Sequence, residues 1–170
     1  RKANLTDRTQ SLDDLLREVT RGLSKLAQLK ANQRPIAESE ALHAVIAMIG
    51  DGGELTEGAV SISVRQQCLE LLGHLAEVPE CLSTLAAEGV LNSLVALLHL
   101  PDTAVETAAA ELLAKLAQVA EYQAQITPET LPLLVDLLHK PSPAAQLAGL
   151  HALNELLFEN RANQLAALKA

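Results

Sequence analysis

Five histidines are the side chains with the most evident capacity for acid–base chemistry or metal binding: His43, His74, His99, His139 and His151. Each lies in a different apolar segment of helical spacing, so the sequence places no two of them on one helix face. His99 and His139 follow equivalent Leu-rich segments, where an imidazole can stabilise the negative end of a helix. We therefore predict structural roles for His99 and His139. We predict no catalytic residues in the chain.

The two cysteines and one acidic segment are the other candidate ligands. Cys68 and Cys81 each lie in an apolar helical pattern, and two thiols are too few for a zinc site. Asp51, Glu54 and Glu57 depart from the spacing of a calcium-binding loop and supply too few oxygens. We predict no metal and no cofactor.

Motifs for nucleophilic or phosphate chemistry are also missing. No serine lies in a Gly-x-Ser-x-Gly elbow, and the glycine-rich segment Gly50–Gly58 lacks a Gly-Lys-Ser/Thr ending. We predict that the protein is not an enzyme and that Gly50–Gly58 is an acidic loop between two helices.

The charge of the chain restricts its partners. The net charge is −8, which opposes binding to a phosphate backbone, so we predict no nucleic-acid partner. Residues 1–34 carry eight Lys and Arg against four Asp and Glu, whereas the remaining chain carries five against seventeen. This asymmetry favours a partner that docks in one orientation.

The distribution of apolar residues predicts a soluble helical protein. Apolar residues make up 49% of the 170 and aromatic residues only 1%, so Leu and Ala dominate, as in helical cores. No stretch approaches the roughly 18 apolar residues of a membrane span, and residues 1–10 lack the apolar region of a signal peptide. We expect no membrane partner and a cytoplasmic location, with the nucleus as a second one.

A repeat of about 40 residues is the clearest pattern in the chain. A shift of 40 aligns Leu94–Pro101 with Leu134–Pro141, and a shift of 41 aligns Glu70–Val78 with Glu111–Val119. A fixed period of this length is typical of a solenoid.

Local signals divide each repeat into three helices, the first of them short. Val78–Glu80 and Ser142–Pro143 predict helix starts, as does Thr127–Glu129, while Pro101 and Pro141 end helices. The alternating segment Val60–Val64 runs into a helical pattern, so we predict a loop leading into a helix there. The N-terminal helix is predicted over about Leu12 to Leu29, with Leu23–Gln28 similar to Leu113–Gln118.

We predict one domain over residues 1–170. It comprises an N-terminal helix within 1–30, repeats at 31–78, 79–119 and 120–158, and at 159–170 the start of a further repeat or a C-terminal cap. If neighbouring helices leave Leu12, Leu16 and Val19 uncovered, they form an exposed apolar patch.

The segment Glu88–Leu98, followed by Pro101–Asp102 and an Ala-rich helix to Leu116, resembles the armadillo repeat. The resemblance covers about residues 31–158 and implies an all-α, right-handed α-solenoid of about three armadillo-like repeats with an extra N-terminal helix. It also implies that the third helices line a concave groove where peptides or partner helices lie.

The resemblance assigns a set of groove positions to the third helices. In that family an asparagine near the end of each third helix pairs with a bound peptide backbone, whereas charged or titratable residues stand there in this chain. The predicted partner-binding residues are Arg17, Arg21, Lys25, Glu70, His74, Glu111, Lys115, His151 and Glu155.

Two functions remain open from the sequence. The first is a non-enzymatic adaptor or scaffold that holds a helix or extended segment of a protein partner in the groove. The alternative is an oligomerisation module, such as a homodimer, that assembles through the ends of the solenoid.

Overall fold

The computed structural model describes residues 2–50, 60–126 and 129–168, with side chains from Gln10 onward. The predicted acidic loop Gly50–Gly58 lies outside the described residues except for Gly50, which ends a helix. The predicted cap at Thr127–Glu129 also lies outside them except for Glu129, whose side chain makes no capping bond.

Within the described residues the chain forms eleven α-helices and no strand. They are α1 (Lys2–Ala27), α2 (Lys30–Ala37), α3 (Glu40–Gly50), α4 (Ile62–Leu75), α5 (Pro79–Ala87), α6 (Val90–Leu97), α7 (Thr103–Ala117), α8 (Ala120–Gln123), α9 (Thr130–Leu138), α10 (Pro143–Leu157) and α11 (Arg161–Ala167). The predicted unit boundaries at 78/79, 119/120 and 158/159 fall between helices, whereas the boundary at 30/31 falls after the first residue of α2.

Helix α1 begins about ten residues earlier than predicted. The prediction started at Leu12, where the apolar spacing begins, but α1 starts at Lys2. Residues 2–11 contain no Gly or Pro, so nothing in their sequence interrupts the helix.

Polar side chains cap the starts of the long third helices. Ser61, Asp102 and Ser142 each accept a hydrogen bond from the backbone N–H three residues later, at 3.3, 2.9 and 3.4 Å. Each such bond satisfies one of the N–H groups that a helix start leaves unpaired. The alternating segment Val60–Val64 is therefore the capped start of α4, as predicted.

The helices stack in equivalent layers along the solenoid. The third helices form one layer, in which α4 packs on α1, α7 on α4, and α10 on α7. The second helices α3 and α6 contact each other in a second layer, and the short helices α2 and α5 contact each other in a third. The long helices therefore present one continuous row of side chains, called here the third-helix face.

The predicted core positions are confirmed. Leu97, Leu113, Leu137 and Leu153 are all buried, at 1%, 0%, 2% and 8% exposure. Cys68 in α4 and Cys81 in α5 are buried free thiols, and desolvation raises the pKa of Cys68 to about 12. The repeat pattern thus locates a core built mainly from Leu and Ala.

The predicted apolar patch on α1 is wrong in one member. Leu16 is half-buried and packs against the core, because it lies one turn before Thr20, which faces α4 and is buried. Leu12 and Val19 are exposed as predicted, and Leu15 is exposed beside them.

In the part of the chain that the structure describes, no single helix is long and apolar enough to cross a membrane. Helices α5 and α6 reach the required length and composition only when taken together, and a bend of 82° separates them.

Candidate functional site

Two rows of predicted site residues cross the third-helix face. The first row is Arg21, Glu70, Glu111 and His151, and the second row is Lys25, His74, Lys115 and Glu155. All members of the first row are exposed, whereas all but Lys25 in the second row are half-buried. Since paired members are four residues apart, both point to the same side of their helix.

A cavity of about 330 Å³ lies on this face between α4 and α7. It is lined by Gln66, Leu69, Glu70, Gly73, His74, Glu77, Ala108, Glu111, Leu112 and Lys115. The structure therefore brings Glu70 and His74 of one helix together with Glu111 and Lys115 of the next. Glu77 also lines the cavity and was not predicted; it follows His74 by three residues, a spacing that places two side chains on the same side of a helix.

Lys115 closes one side of the cavity. Its ammonium donates a hydrogen bond of 2.8 Å to the backbone carbonyl of Gly73, in the last turn of α4. Carbonyls in the last turn of a helix lack intrahelical partners, and a cation there also complements the helix dipole. Lys115 therefore joins α7 to α4, rather than serving mainly as an intrahelical partner of Glu111.

His74 lies between two carboxylates of its own helix region. Its Nδ1 is 3.5 Å from Glu77 Oε1, and its Nε2 is 3.9 Å from Glu70 Oε1. The imidazole is three-quarters buried, so its ring also forms part of the cavity wall.

The cavity is suited to a cationic guest. Three carboxylates, those of Glu70, Glu77 and Glu111, stand at its rim, and its one ammonium is already bonded to a carbonyl. Leu69 and Leu112 are buried beneath the rim. Such a pocket offers an apolar floor for the methylenes of Lys or Arg and acceptors for the charged head.

Two of the arginines in the N-terminal section of the face are paired with acids, although residues 1–34 carry an excess of Lys and Arg. Arg17 forms an ion pair with Asp14, and Arg21 lies 3.2 Å from Glu18. These exposed pairs neutralise two of the three predicted basic residues locally. The sequence could have indicated these pairs, because each acid precedes its arginine by three residues within the predicted N-terminal helix.

At the other end, α10 presents His151 exposed and Glu155 half-buried. A second cavity, of about 560 Å³, lies between the starts of α7 and α10. Its walls are Thr103, Ala104, Thr107, Ala108, Glu111, Pro141, Ser142 and Ala144. His151 and Glu155 are thus not brought into either cavity, whereas Glu111 lines both.

Among the described residues no group of three or more His, Cys, Asp or Glu is placed to hold a metal. His139 caps the end of α9, with Nδ1 3.1 Å from the carbonyl of Val135, and His99 follows α6 at the equivalent position. Both histidines therefore lie at the ends of second helices, as the repeat predicts.

Solved structures identify the architecture. A designed armadillo repeat protein superposes on 90% of this chain and 63% of its own, with a TM-score of 0.77 and 20% identity. The chain has the armadillo-repeat fold. A second designed armadillo repeat protein, solved in complex with the peptide (KR)4, matches 92% of this chain and 64% of its own, with a TM-score of 0.76 and 20% identity.

Computationally designed armadillo repeat proteins for modular peptide recognition give a similar match, covering 98% of this chain and 68% of theirs, with a TM-score of 0.78 and 22% identity. The predicted armadillo-like solenoid is therefore confirmed, and the chain spans about two thirds of the length of these structures. No protein-family model and no curated protein matches the sequence.

Proposed function

We propose that this armadillo solenoid is a non-enzymatic protein-binding scaffold that holds an extended, basic segment of a partner protein against its third-helix face. The observation that carries the proposal is the acid-rimmed cavity between α4 and α7. Its carboxylates come from two adjacent repeats, so a single basic side chain that enters between the repeats can contact both.

The geometry suits a basic side chain that enters between Glu70 and Glu111. Glu70 is exposed on α4 and Glu111 on α7, and the cavity between them offers about 330 Å³. A Lys or Arg inserted here would exchange water for charge-assisted hydrogen bonds while its stem covers the apolar floor. Because rim charges act mainly on association and orientation, binding should weaken as salt rises.

A structural neighbour shows that this fold can accommodate such a ligand. One designed armadillo repeat protein was solved with the basic peptide (KR)4. At 20% identity that likeness shows the fold alone, so the case for a basic partner segment rests on the carboxylates of this chain.

The test is the affinity of an alternating Lys–Arg octapeptide, measured by fluorescence anisotropy at low salt. We expect the variant Glu70→Gln with Glu111→Gln to bind about two- to thirtyfold more weakly, since each of the two exposed charge pairs contributes about 0.2–1 kcal/mol. The matched control is Glu40→Gln with Glu121→Gln, which removes the same charge from exposed positions outside the cavity. Equal losses in the two double variants would show only a net-charge effect and would refute the site.

The contribution of Arg17, Arg21 and Lys25 to partner binding stays a prediction. They would contact an acidic stretch beyond the basic segment and so fix its direction along the face. Replacing Arg21 and Lys25 by Glu should weaken binding of the Lys–Arg peptide extended by acidic residues, with a loss that shrinks at high salt. If the extended peptide gains nothing over the simple one, α1 is not part of the groove.

A further inference from the structure

An apolar stripe runs along α1 on a side that faces neither α4 nor the solenoid core. Leu12, Leu15, Val19 and Leu26 are 51% to 60% exposed, and Leu29, just beyond the helix, is 65% exposed. With Gly22, the stripe positions are separated by three and four residues in strict alternation. This is the spacing of a coiled-coil seam, and the helical part of the stripe is about 21 Å long.

The same positions are buried in every other third helix. The equivalents of Leu15 are Val64, Val105 and Ala145; those of Val19 are Cys68, Ala109 and Gly149; and those of Leu26 are Leu75, Leu116 and Leu156. All nine are buried, whereas their three counterparts on α1 are more than half exposed. The stripe is thus the part of the repeat that an adjacent helix normally covers.

The identity of that covering helix is visible at Gly149. A Cβ placed there would lie 2.9 Å from the backbone oxygen of Leu134 and 3.0 Å from Cβ of Leu137. Both residues belong to α9, the second helix of the same repeat. The stripe on α1 therefore lies where a second helix would pack, and the described residues supply none.

Charged residues flank the stripe in two blocks of opposite sign. Asp14 and Glu18 lie beside its N-terminal half, and Arg21 and Lys25 lie beside its C-terminal half. The intrahelical pairs of Asp14 with Arg17 and of Glu18 with Arg21 are exposed, and such pairs contribute little and exchange partners readily. A second helix would complement these charges if it placed basic residues beside Asp14 and Glu18 and acidic residues beside Arg21 and Lys25.

We propose that the occupant of this stripe is a second copy of the chain, whose α1 packs antiparallel against the first about a two-fold axis. In that arrangement Leu12 meets Leu29 of the second copy, Leu15 meets Leu26, and Val19 meets Gly22. The two-fold places the acidic block of each copy beside the basic block of the other, as an isologous interface requires. In a parallel pairing about a two-fold axis, the charged edges of the two helices would lie on opposite sides of the seam, so the acidic and basic blocks would not meet.

The centre of the stripe permits close approach of two helices. Gly22 carries no Cβ, and a Cβ built there would meet no atom within 4 Å, so its surface is open. The side chain of Val19 from the second copy fills the space above Gly22, one on each side of the axis. This interface contains none of the residues that line the cavity between α4 and α7, so dimerisation and binding of the simple Lys–Arg peptide can fail independently.

Sedimentation equilibrium from low to high micromolar concentration tests the dimer. We expect a mass that approaches twice the 18.1 kDa of the chain. The variant Leu15→Glu with Val19→Glu should remain monomeric with an unchanged circular dichroism spectrum. The control Leu147→Glu with Leu150→Glu, exposed positions on α10, should dimerise like the parent. A monomeric parent, or loss of the dimer only in the α10 variant, would overturn the proposal.

Disulfide trapping tests the orientation. The single variants Leu15→Cys and Leu26→Cys, mixed in equal amounts under mild oxidation, should form a cross-linked dimer between the two kinds of chain. Each variant alone should cross-link far less, since in the antiparallel arrangement position 15 lies opposite 26 and not opposite itself. Efficient self-linking of either variant would contradict the antiparallel two-fold.

Discussion

The ammonium of Lys115 on α7 donates a 2.8 Å hydrogen bond to the carbonyl of Gly73 in the last turn of α4. One side chain thereby satisfies an end of the preceding third helix and forms a wall of the candidate binding cavity. Lys115 therefore contributes both to the stability of the fold and to the candidate binding cavity, and substitutions can separate these two contributions.

Replacing Lys115 by Met should destabilise the fold by about 1–2 kcal/mol, because the Gly73 carbonyl loses a charged donor while most of the apolar stem is kept. Urea denaturation measures the change. The matched control is Lys25→Met at the equivalent, exposed position of α1, where we expect a change within about 0.5 kcal/mol. Equal effects at the two positions would show that the interhelical bond contributes nothing.

Alanine substitutions at two helical glycines should change the stability of the protein in opposite directions. At Gly149 an added Cβ would overlap the backbone of α9, so Gly149→Ala should destabilise the protein by about 1–3 kcal/mol. At Gly73 a Cβ would meet nothing within 4 Å, so Gly73→Ala should be neutral or stabilise it by up to about 1 kcal/mol. Thermal melts of the two variants measure these changes. A stabilising effect of Gly149→Ala would contradict the tight packing of α10 on α9.

Truncating a leucine side chain at the centre of the core should lower the free energy of unfolding substantially. Leu113 in α7 is fully buried, so Leu113→Ala should lower the free energy of unfolding by about 2–5 kcal/mol through lost burial and a cavity. Leu147→Ala at an exposed position of α10 provides the comparison and should change it by under about 0.5 kcal/mol. A loss that small at Leu113 would mean that its place in the core is wrong.

Burial of Cys68 predicts both low reactivity and a pH dependence. Desolvation raises the pKa of this thiol to about 12 in the folded protein, whereas in the unfolded chain it ionises above about pH 8.5. The unfolded state therefore loses this proton first, so stability falls as pH rises from about 8.5 to 12, by up to about 1.4 kcal/mol per unit.

The variant Cys68→Ala should show a shallower decline of stability over that alkaline range than the parent. Iodoacetamide at mildly alkaline pH should label the parent at Cys68 only when the protein unfolds. Rapid labelling of Cys68 in the native protein would contradict its placement.

Much of the fold could be predicted from the sequence because its signals are local and repeated. The Leu periodicity and the Ser142–Pro143 start follow from helix chemistry, and a shift of 40 or 41 residues transfers each assignment to the next repeat. The early start of α1 was missed because residues 2–11 form helix without an apolar pattern. Helical propensity alone gives no periodicity to detect.

The candidate site was less accessible from the sequence. The two rows of side chains follow from the repeat, but the cavity depends on which neighbouring helices approach closely, a tertiary property. The ion pairs of Arg17 and Arg21 follow from i,i+3 spacing in the predicted N-terminal helix, but a count of charges along the chain does not reveal them. The bond from Lys115 to Gly73 joins residues 42 apart, and no local pattern indicates it.

The most direct test of the proposed function is to locate the bound peptide by NMR. With isotope-labelled protein and the alternating Lys–Arg octapeptide at low salt, we expect saturable amide shifts concentrated at Gly73 and His74 in α4 and at Glu111 and Lys115 in α7. In the Glu70→Gln, Glu111→Gln variant the shifts should saturate only at a several-fold higher peptide concentration, whereas the Glu40→Gln, Glu121→Gln control should saturate like the parent. Shifts confined to the short helices α2, α5 and α8, or no saturable shift at all, would contradict a binding groove on the third-helix face.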